Sequence, residues 1–393
     1  MRRLLAALLI AMAALSQAGA RFIVELQDYR QVFGVVNSHP VRLIDIVKPA
    51  PFVLVEVKPG FDPITVQLQM QADPRVLFCE DNVELSIPEH IGAGKGSTIG
   101  AVFDDGIYNE NTNMLSQIQW SLRNWRATDR RIRVGILDTG ITKQNTWLLS
   151  RVVALYPISR DRPDAWDMPT GVDSNRNFLI DEALGHGSMV AGLVAQIAPY
   201  ADLVICRVAD ADGLADAWTI TKGIARSVLA GCEVINISLG SEQTIPALSN
   251  VMHFAEDRGS VVVAAIGNNG YRGANYPADI SKVIMVTGVD HNDIKAPFSN
   301  WDGGSRQAAP ATGIKSAWWD GTIGIWSGTS FASPLVAGSI ADALRSVPPI
   351  VPATLRDLVR SSGTDIDDLN PEFEGELGLR LHCANMASRF GVP

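Results

Sequence analysis

The chain has 393 residues, of which 47% are hydrophobic and 19% charged, a composition typical of globular rather than disordered proteins. Its 33 Lys and Arg residues are outnumbered by 42 Asp and Glu residues, which gives a formal net charge of −9. No window shows the cluster of basic residues that binding to phosphates requires. We therefore expect no nucleic-acid partner, and the length favours two or three domains.

The first 20 residues have the pattern of a secretory signal. Arg2 and Arg3 precede an apolar run from Leu4 to Leu15, and the small residues Ala18-Gly19-Ala20 follow. The run is too short for a transmembrane helix, which needs roughly 20 residues. We interpret residues 1–20 as a removed signal, with a retained anchor as the alternative. The protein is then secreted, extracellular or periplasmic, without a membrane contact after signal removal.

Residues 21–88 predict a small α+β unit. Its β-rich stretches are Phe22 to Leu26, Phe52 to Val57 and Val76 to Leu85. Asp62-Pro63 has the signature of a helix start. The apolar residues Ile64, Val66, Leu68 and Met70 nevertheless alternate with polar ones, as in a strand, so both interpretations stay open. The glycine-rich residues that follow predict an open, cleavable linker over 89–111.

Residues 112–393 show short apolar strands that alternate with amphipathic helices. The strands are Val134 to Leu137, Leu203 to Val208, Val234 to Leu239, Val261 to Ile266 and Val283 to Thr287. Because these strands are apolar on both faces, we predict an α/β fold: a mainly parallel sheet with helices on both faces. In such sheets the functional residues gather at the carboxyl ends of the strands.

The four cysteines, Cys79, Cys206, Cys232 and Cys383, show no CxxC spacing. They indicate neither a zinc ribbon nor a dense disulfide framework, and their pairing stays open.

Three polar residues stand at the ends of predicted elements. Asp138 ends a buried strand, His186 starts a helix between two glycines, and Ser330 opens another helix. Each alone has a structural interpretation: a turn cap, a buried histidine and a helix N-cap. Together they supply what amide hydrolysis needs, which is a nucleophile, a base that takes its proton and a carboxylate that orients the base.

The sequence around these residues resembles the subtilisin-like serine protease family. The motifs are Asp138-Thr139-Gly140, Gly-His-Gly at 185–187 and Gly-Thr-Ser-x-Ala-x-Pro at 328–334, in the family's chain order. The resemblance extends from about Gln119 to the C-terminus. It implies a seven-stranded parallel core and a monomeric endopeptidase that hydrolyses proteins or peptides and requires no cofactor for its chemistry.

The resemblance also implies binding roles. Asn268 donates to the oxyanion together with the backbone N–H of Ser330, although Asn268-Asn269-Gly270 alone would be interpreted as a turn. Extended substrate pairs with Ser238, Leu239 and Gly240. The primary specificity pocket is lined by Ala264, Ala265 and Gly267.

By the same resemblance, residues 21–88 are an inhibitor-like prodomain that occupies the cleft until the enzyme removes it. A retained binding domain is the alternative. The family pattern is broken at Ser188-Met189, where many relatives have Thr-His, and at Ala311, where glycine is common. Neither change removes a catalytic group.

Oxygen-bearing residues alternate just before the histidine motif, at Asp173, Asn175, Asn177 and Asp181. Phe178 stands where a calcium-binding EF-hand loop needs glycine, so a polar turn is the simpler interpretation. A structural calcium site is the alternative.

Two functional classes other than a protease are a peptide-binding pseudoprotease and a nucleotide-binding module. A catalytically inert, peptide-binding pseudoprotease of the same fold conflicts with the complete set of catalytic residue types. A nucleotide-binding module lacks both the G-x-G-x-x-G and the Walker A motif.

Overall fold

The computed structural model describes residues 19–86, 97–123, 128, 130–304 and 307–391. They fall into two compact units, Met1–Val83 and Glu84–Pro393. Most of the predicted signal, residues 87–88 of the predicted α+β unit and residues 89–96 of the predicted linker lie outside the described residues. Within the described ranges, no helix has the length and apolar character needed to cross a bilayer.

The first unit is a four-stranded antiparallel sheet with two helices, which is an α+β arrangement. In chain order its elements are β1 (Arg21–Leu26), α1 (Val32–Ser38), β2 (Val41–Ile46), β3 (Phe52–Val57), α2 (Pro63–Gln71) and β4 (Val76–Asp81). The strand order in the sheet is β2-β3-β1-β4. Its core is a valine-rich cluster between the sheet and the helices.

Helix α2 resolves the conflict between its two sequence signals. The side chain of Asp62 accepts a hydrogen bond from the backbone N–H of Thr65 at 2.9 Å, as an N-cap does. Val66 and Met70 are buried, whereas Ile64 and Leu68 are exposed. The alternating apolar residues thus form two i, i+4 pairs on opposite faces of a helix, and the strand interpretation was wrong.

The second unit contains thirteen strands among its described residues. They are β5 (Glu84–Ser86), β6 (Ser97–Val102), β7 (Arg133–Asp138), β8 (Val152–Pro157), β9 (Asp202–Arg207), β10 (Leu214–Asp216), β11 (Val234–Ile237), β12 (Val261–Ala265), β13 (Val283–Val289), β14 (Gln307–Pro310), β15 (Ile314–Ala317), β16 (Thr322–Trp326) and β17 (Leu379–Arg380). The β-rich stretch from Val76 to Leu85 contains two strands with different partners, since β4 pairs with β1 and β5 pairs with β10.

Eight of these strands form one parallel sheet in the order β17-β14-β13-β12-β11-β7-β9-β8. The sheet contains the seven strands expected from the sequence and, at one edge, the two-residue strand β17. Strands β12, β11 and β7 are neighbours in its centre, so their carboxyl ends meet at one edge of the sheet.

Helices cover both faces of the parallel sheet. They are α3 (Ile107–Glu110), α4 (Thr112–Gln117), α5 (Thr146–Leu149), α6 (His186–Ile197), α7 (Ala217–Leu229), α8 (Pro246–Glu256), α9 (Thr329–Leu344), α10 (Pro352–Arg360) and α11 (Cys383–Arg389). On β7, Val134 and Ile136 join the core that contains α6 and α9. Leu137, on the opposite face, lies against Gly223 of α7. All residues of α6 and α9 are buried.

The described part of the predicted open linker is folded. Strand β6 pairs antiparallel with β16 in a three-stranded sheet that also contains β15. Phe103 and Ile107, which follow β6, are fully buried. Residues 97–111 are therefore part of the second unit, because the apolar residues among its glycines have a partner strand and a core to join.

The four cysteines are free and buried. Burial raises the pKa of both Cys79 and Cys206 to about 12, so these thiols remain protonated and unreactive at neutral pH.

We predict that the folded full-length chain reacts with no thiol reagent at pH 8 under non-reducing conditions. Unfolding in guanidinium should expose four thiols, because burial alone protects them. The number of thiols titrated before and after unfolding checks this. A count of two in the unfolded chain would mean that a disulfide had formed.

Candidate active site

The closest contact between the predicted site residues joins Asp138 and His186. Asp138 is the last residue of β7 and His186 the first of α6. Oδ1 of Asp138 lies 2.7 Å from Nδ1 of His186, and both side chains are fully buried. The same oxygen accepts a hydrogen bond from the backbone N–H of Thr139 at 2.8 Å. A carboxylate at Nδ1 fixes the imidazole tautomer and directs Nε2 to acid–base work.

Glycines allow the strand end and the helix start to approach so closely. The backbone N–H of Gly187 donates to Oγ1 of Thr139 at 2.9 Å. A Cβ atom added to Gly187 would lie 2.4 Å from the carbonyl oxygen of Gly140. Gly185 precedes the helix with φ +90°, a backbone conformation that favours glycine. The Gly-His-Gly motif is therefore required by packing as well as by chemistry.

A second buried carboxylate, Asp167, holds the start of α6. Its Oδ1 accepts from the backbone N–H of Gly185 at 3.1 Å. Its Oδ2 accepts from the N–H and the hydroxyl of Ser188, at 3.2 and 2.8 Å. Burial raises the pKa of Asp167, while these hydrogen bonds oppose that rise. No sequence motif marks Asp167, and the departure from the family pattern at Ser188 was the one available signal.

Ser330 is the second residue of α9 and is fully buried. Its Oγ donates a hydrogen bond to the carbonyl oxygen of Ser238 at 3.2 Å, and Oγ of Ser238 donates to the carbonyl oxygen of Ser330 at 2.9 Å. The ring of the next residue, Phe331, lies 5.2 Å from the ring of His186 between centroids. The structure thus brings the start of α9 to the imidazole.

Asn268, three residues after β12, lies at the same helix start. Its Oδ1 accepts from the backbone N–H of Thr329 at 2.8 Å and from the Thr329 hydroxyl at 2.9 Å. Two donors on one atom identify that atom as the oxygen, so the other branch of the amide is the NH₂ donor. Sequence reasoning missed Thr329 as the residue that orients Asn268, although it lies inside the Gly-Thr-Ser motif.

Aromatic side chains form one wall around the imidazole. The ring of Trp326 lies 5.7 Å from that of His186 in an edge-to-face arrangement, and Trp318 packs against Trp326 at 5.7 Å. Both tryptophans come from the hairpin of β15 and β16. Such packing shields Asp138 and His186 from water, which strengthens the electrostatic interaction between them.

An extended segment of the chain itself lies beside these residues. Strand β5 pairs antiparallel with β10, with Ser86 opposite Leu214. Ser86 also donates from its backbone N–H to the carbonyl oxygen of Gly240 at 3.2 Å and accepts from the N–H of Gly240 at 3.0 Å. The segment is therefore held between two strand edges, as peptides are in recognition by strand addition.

A cavity of about 650 Å³ adjoins this strand and reaches Asn268. Of the six residues predicted to bind substrate, Gly240 lines the cavity. The other five are buried and do not line it: Ser238, Leu239, Ala264, Ala265 and Gly267.

In the oxygen-rich turn before α6, side-chain oxygens accept hydrogen bonds from backbone N–H groups of the same turn. Asp173 accepts hydrogen bonds from the backbone N–H groups of Asn177 and Phe178, at 3.1 and 2.9 Å. Asn177 accepts from the N–H of Leu179 at 2.8 Å. Over the described ranges, no group of three or more His, Cys, Asp or Glu residues has a metal-binding arrangement. A structural calcium site here remains a prediction from the sequence.

The sequence model of one protein family, the subtilase family, matches residues 129–377 of this chain. The chain belongs to the subtilase family. This membership confirms the family resemblance and the class of serine-type endopeptidase. The match covers the described Asp138–His186 pair and the start of α9.

This subtilase has curated relatives at moderate identity. It is 28% identical over 307 residues to M-protease from Shouchella clausii (strain KSM-K16), which covers 74% of this chain and 75% of the relative. It is 34% identical over 217 residues to thermitase from Thermoactinomyces vulgaris, covering 52% of this chain and 72% of thermitase.

Solved structures confirm the α/β fold of the subtilase. Fervidolysin from Fervidobacterium pennivorans, described as a keratinolytic enzyme related to subtilisin, aligns with a TM-score of 0.71 at 19% identity. The alignment covers 94% of this chain and 61% of fervidolysin, so the chain spans less than two thirds of that relative. The epidermin leader peptide processing serine protease of Staphylococcus aureus aligns with a TM-score of 0.68 at 17% identity, covering 94% and 97%.

We predict that Gly187→Ala lowers kcat/KM by about 100-fold, because the added methyl group pushes α6 and His186 away from Asp138. A matched control is Gly303→Ala, since a Cβ atom there would meet nothing within 4 Å. Peptide hydrolysis by both variants, after circular dichroism has shown that they fold, measures the difference. Wild-type kcat/KM in Gly187→Ala would contradict the packing argument.

Proposed function

We propose that this subtilase is a secreted, self-processing serine endopeptidase whose nucleophile is Ser330. His186 is its general base, Asp138 orients the base, and Asn268 stabilises the oxyanion. The observation that carries this proposal is the buried hydrogen bond of 2.7 Å between Asp138 and His186, beside the start of α9. Burying such a pair costs free energy, and buried ionisable pairs of this kind are concentrated at functional sites.

In the first step Ser330 attacks the scissile carbonyl carbon. Rotation about its Cα–Cβ bond exchanges the hydrogen bond to Ser238 for one to Nε2 of His186. The imidazole takes the hydroxyl proton as the new C–O bond forms, and Asp138 stabilises the imidazolium. The proton then passes to the leaving amine, and the C–N bond breaks. Water hydrolyses the acyl-enzyme by the same route in reverse, which restores the Ser330 hydroxyl.

The negative charge of the tetrahedral intermediate lies at the start of α9. The backbone N–H of Ser330 lies in the first turn of α9, where N–H groups have no partner within the helix, and it donates to that charge. Asn268 supplies a side-chain donor, and Thr329 holds it there through two hydrogen bonds. Donors that are oriented before the reaction stabilise the transition state without reorganisation.

Protein substrates bind in extended form along Gly240 and β10. Strand β5 pairs with both β10 and Gly240. In the chain it directly follows the first unit. This arrangement supports a prodomain whose C-terminal segment blocks the cleft of a monomeric precursor until it is cut. The signal-like N-terminus supports export of that precursor.

Replacing the nucleophile tests the proposal. In Ser330→Ala we expect hydrolysis of peptides and removal of the first unit to cease, because no hydroxyl can form the acyl-enzyme. A fluorophosphonate probe should label the wild type and spare this variant. The control Ser339→Ala changes a buried serine of the same helix, bonded to the carbonyl oxygen of Leu335, and should keep activity.

An unlabelled wild type would instead support the inert pseudoprotease. A pure Ser330→Ala precursor that trims itself at the wild-type rate would contradict the assigned nucleophile.

The pH profile tests His186 separately. The base acts only when its imidazole is neutral, so kcat/KM should fall as the pH is lowered into the acidic range. Rates are measured between pH 4 and 9 within the range where the fold is intact by circular dichroism. A profile that stays flat down to pH 4 would exclude a histidine base.

A further inference from the structure

The cavity beside Asn268 contains many amides and little charge. Its asparagines are Asn175, Asn177, Asn268, Asn269 and Asn275. Two charged side chains line it in the described part of the chain, Glu242 and Glu84, and Glu84 belongs to the strand that occupies the cleft. No described lysine, arginine or histidine lines the cavity. When β5 leaves the cleft, the cavity wall among the described residues therefore carries one carboxylate, that of Glu242.

Neighbouring residues hold the Glu242 carboxylate in place. Nδ2 of Asn269 donates to Oε1 of Glu242 at 2.9 Å. The backbone N–H of Asn269 in turn donates to Oδ1 of Asn300 at 2.9 Å, which fixes the segment that follows Asn268. The carboxylate is thus bonded to the residue next to the oxyanion donor. Asn268 and Glu242 both line this one cavity.

The side chain of Asn275 closes the cavity on another side. Asn275 is 3% exposed and accepts a hydrogen bond from the hydroxyl of Tyr271 at 3.0 Å. A Cβ atom added to Gly240 would lie 3.0 Å from Cβ of Asn275, so the two backbones leave no room for a side chain between them. Burial raises the pKa of Tyr271, and the negative charge of Glu242 raises it further. The Glu242 charge therefore acts on the Tyr271–Asn275 side of the cavity.

We propose that this cavity, which Ala264, Ala265 and Gly267 do not line, is the primary specificity pocket and that Glu242 makes it select Lys or Arg in the residue before the scissile bond. The inference rests on the proposed peptidase function. A basic side chain pairs with the carboxylate and hydrogen-bonds to the surrounding amide oxygens. An acidic side chain meets a like charge with no cation to offset it.

The sequence of the precursor offers one substrate of this kind. Between Arg75 and Arg123 the chain contains a single basic residue other than histidine, Lys95, and it lies in the glycine-rich linker. Cleavage after Lys95 separates the first unit from the enzyme. Strand β6 begins two residues later, so it remains with the enzyme and keeps its pairing with β16.

Selectivity is measured as kcat/KM for peptides that differ in one residue, Lys, Arg, Gln, Leu or Glu before the cut. The wild type should prefer Lys and Arg over Gln by about tenfold, the effect of a charge-assisted hydrogen bond to the Glu242 carboxylate. Glu242→Gln should reduce that ratio to near one, and Glu242→Lys should favour the Glu peptide. The control Glu372→Gln changes an exposed glutamate outside the cavity and should keep the preference.

Fluorophosphonate labelling in parallel separates this inference from the proposed function. A labelled enzyme without charge preference, or with the same preference in Glu242→Gln, would overturn the pocket assignment alone. An enzyme that neither labels nor cleaves any peptide would overturn both. N-terminal sequencing of the processed wild type should find Gly96, and a terminus that follows no basic residue would overturn the assignment of Lys95.

Discussion

The hydrogen bond between Asp138 and His186 is the contact on which the site depends, because it joins two polar groups in the interior. A buried carboxylate needs hydrogen-bond donors, and here the imidazole and the N–H of Thr139 both donate to its Oδ1. The contact also sets the position of α6 against β7. Gly187 must therefore have no side chain, and Asp167 must satisfy the first N–H groups of the helix.

The start of α9 is the second organising point. Three neighbouring central strands, β7, β11 and β12, end at the same edge of the sheet, and α9 begins where they end. Ser330 exchanges hydrogen bonds with Ser238 after β11, and Thr329 holds Asn268 after β12. The proposed nucleophile and oxyanion donor are thus each held by hydrogen bonds at the start of α9. This is the preorganisation on which electrostatic catalysis relies.

The cleft combines a general and a selective mode of recognition. Backbone groups of Gly240 and β10 pair with the chain's own segment Glu84–Ser86, and under the proposed function they pair with extended substrates in the same way. Selection then falls to the side chains that line the cavity, where Glu242 faces a set of neutral amides. In this scheme the precursor blocks its cleft through the general mode, and Lys95 is recognised through the selective one.

The sequence by itself determined the family, the parallel α/β fold and the catalytic residue types, because these depend on local signals: strand-end Asp138, Gly-flanked His186 and the Gly-Thr-Ser start of α9. Local capping likewise indicated a helix start at Asp62, although the alternating apolar residues left a strand open until the structure was known. Tertiary structure decided the rest. Asp167 and Glu242 carry no motif, and β6 looks like a linker until β16 pairs with it. Their roles arise from contacts between residues distant in the chain, which no local pattern encodes.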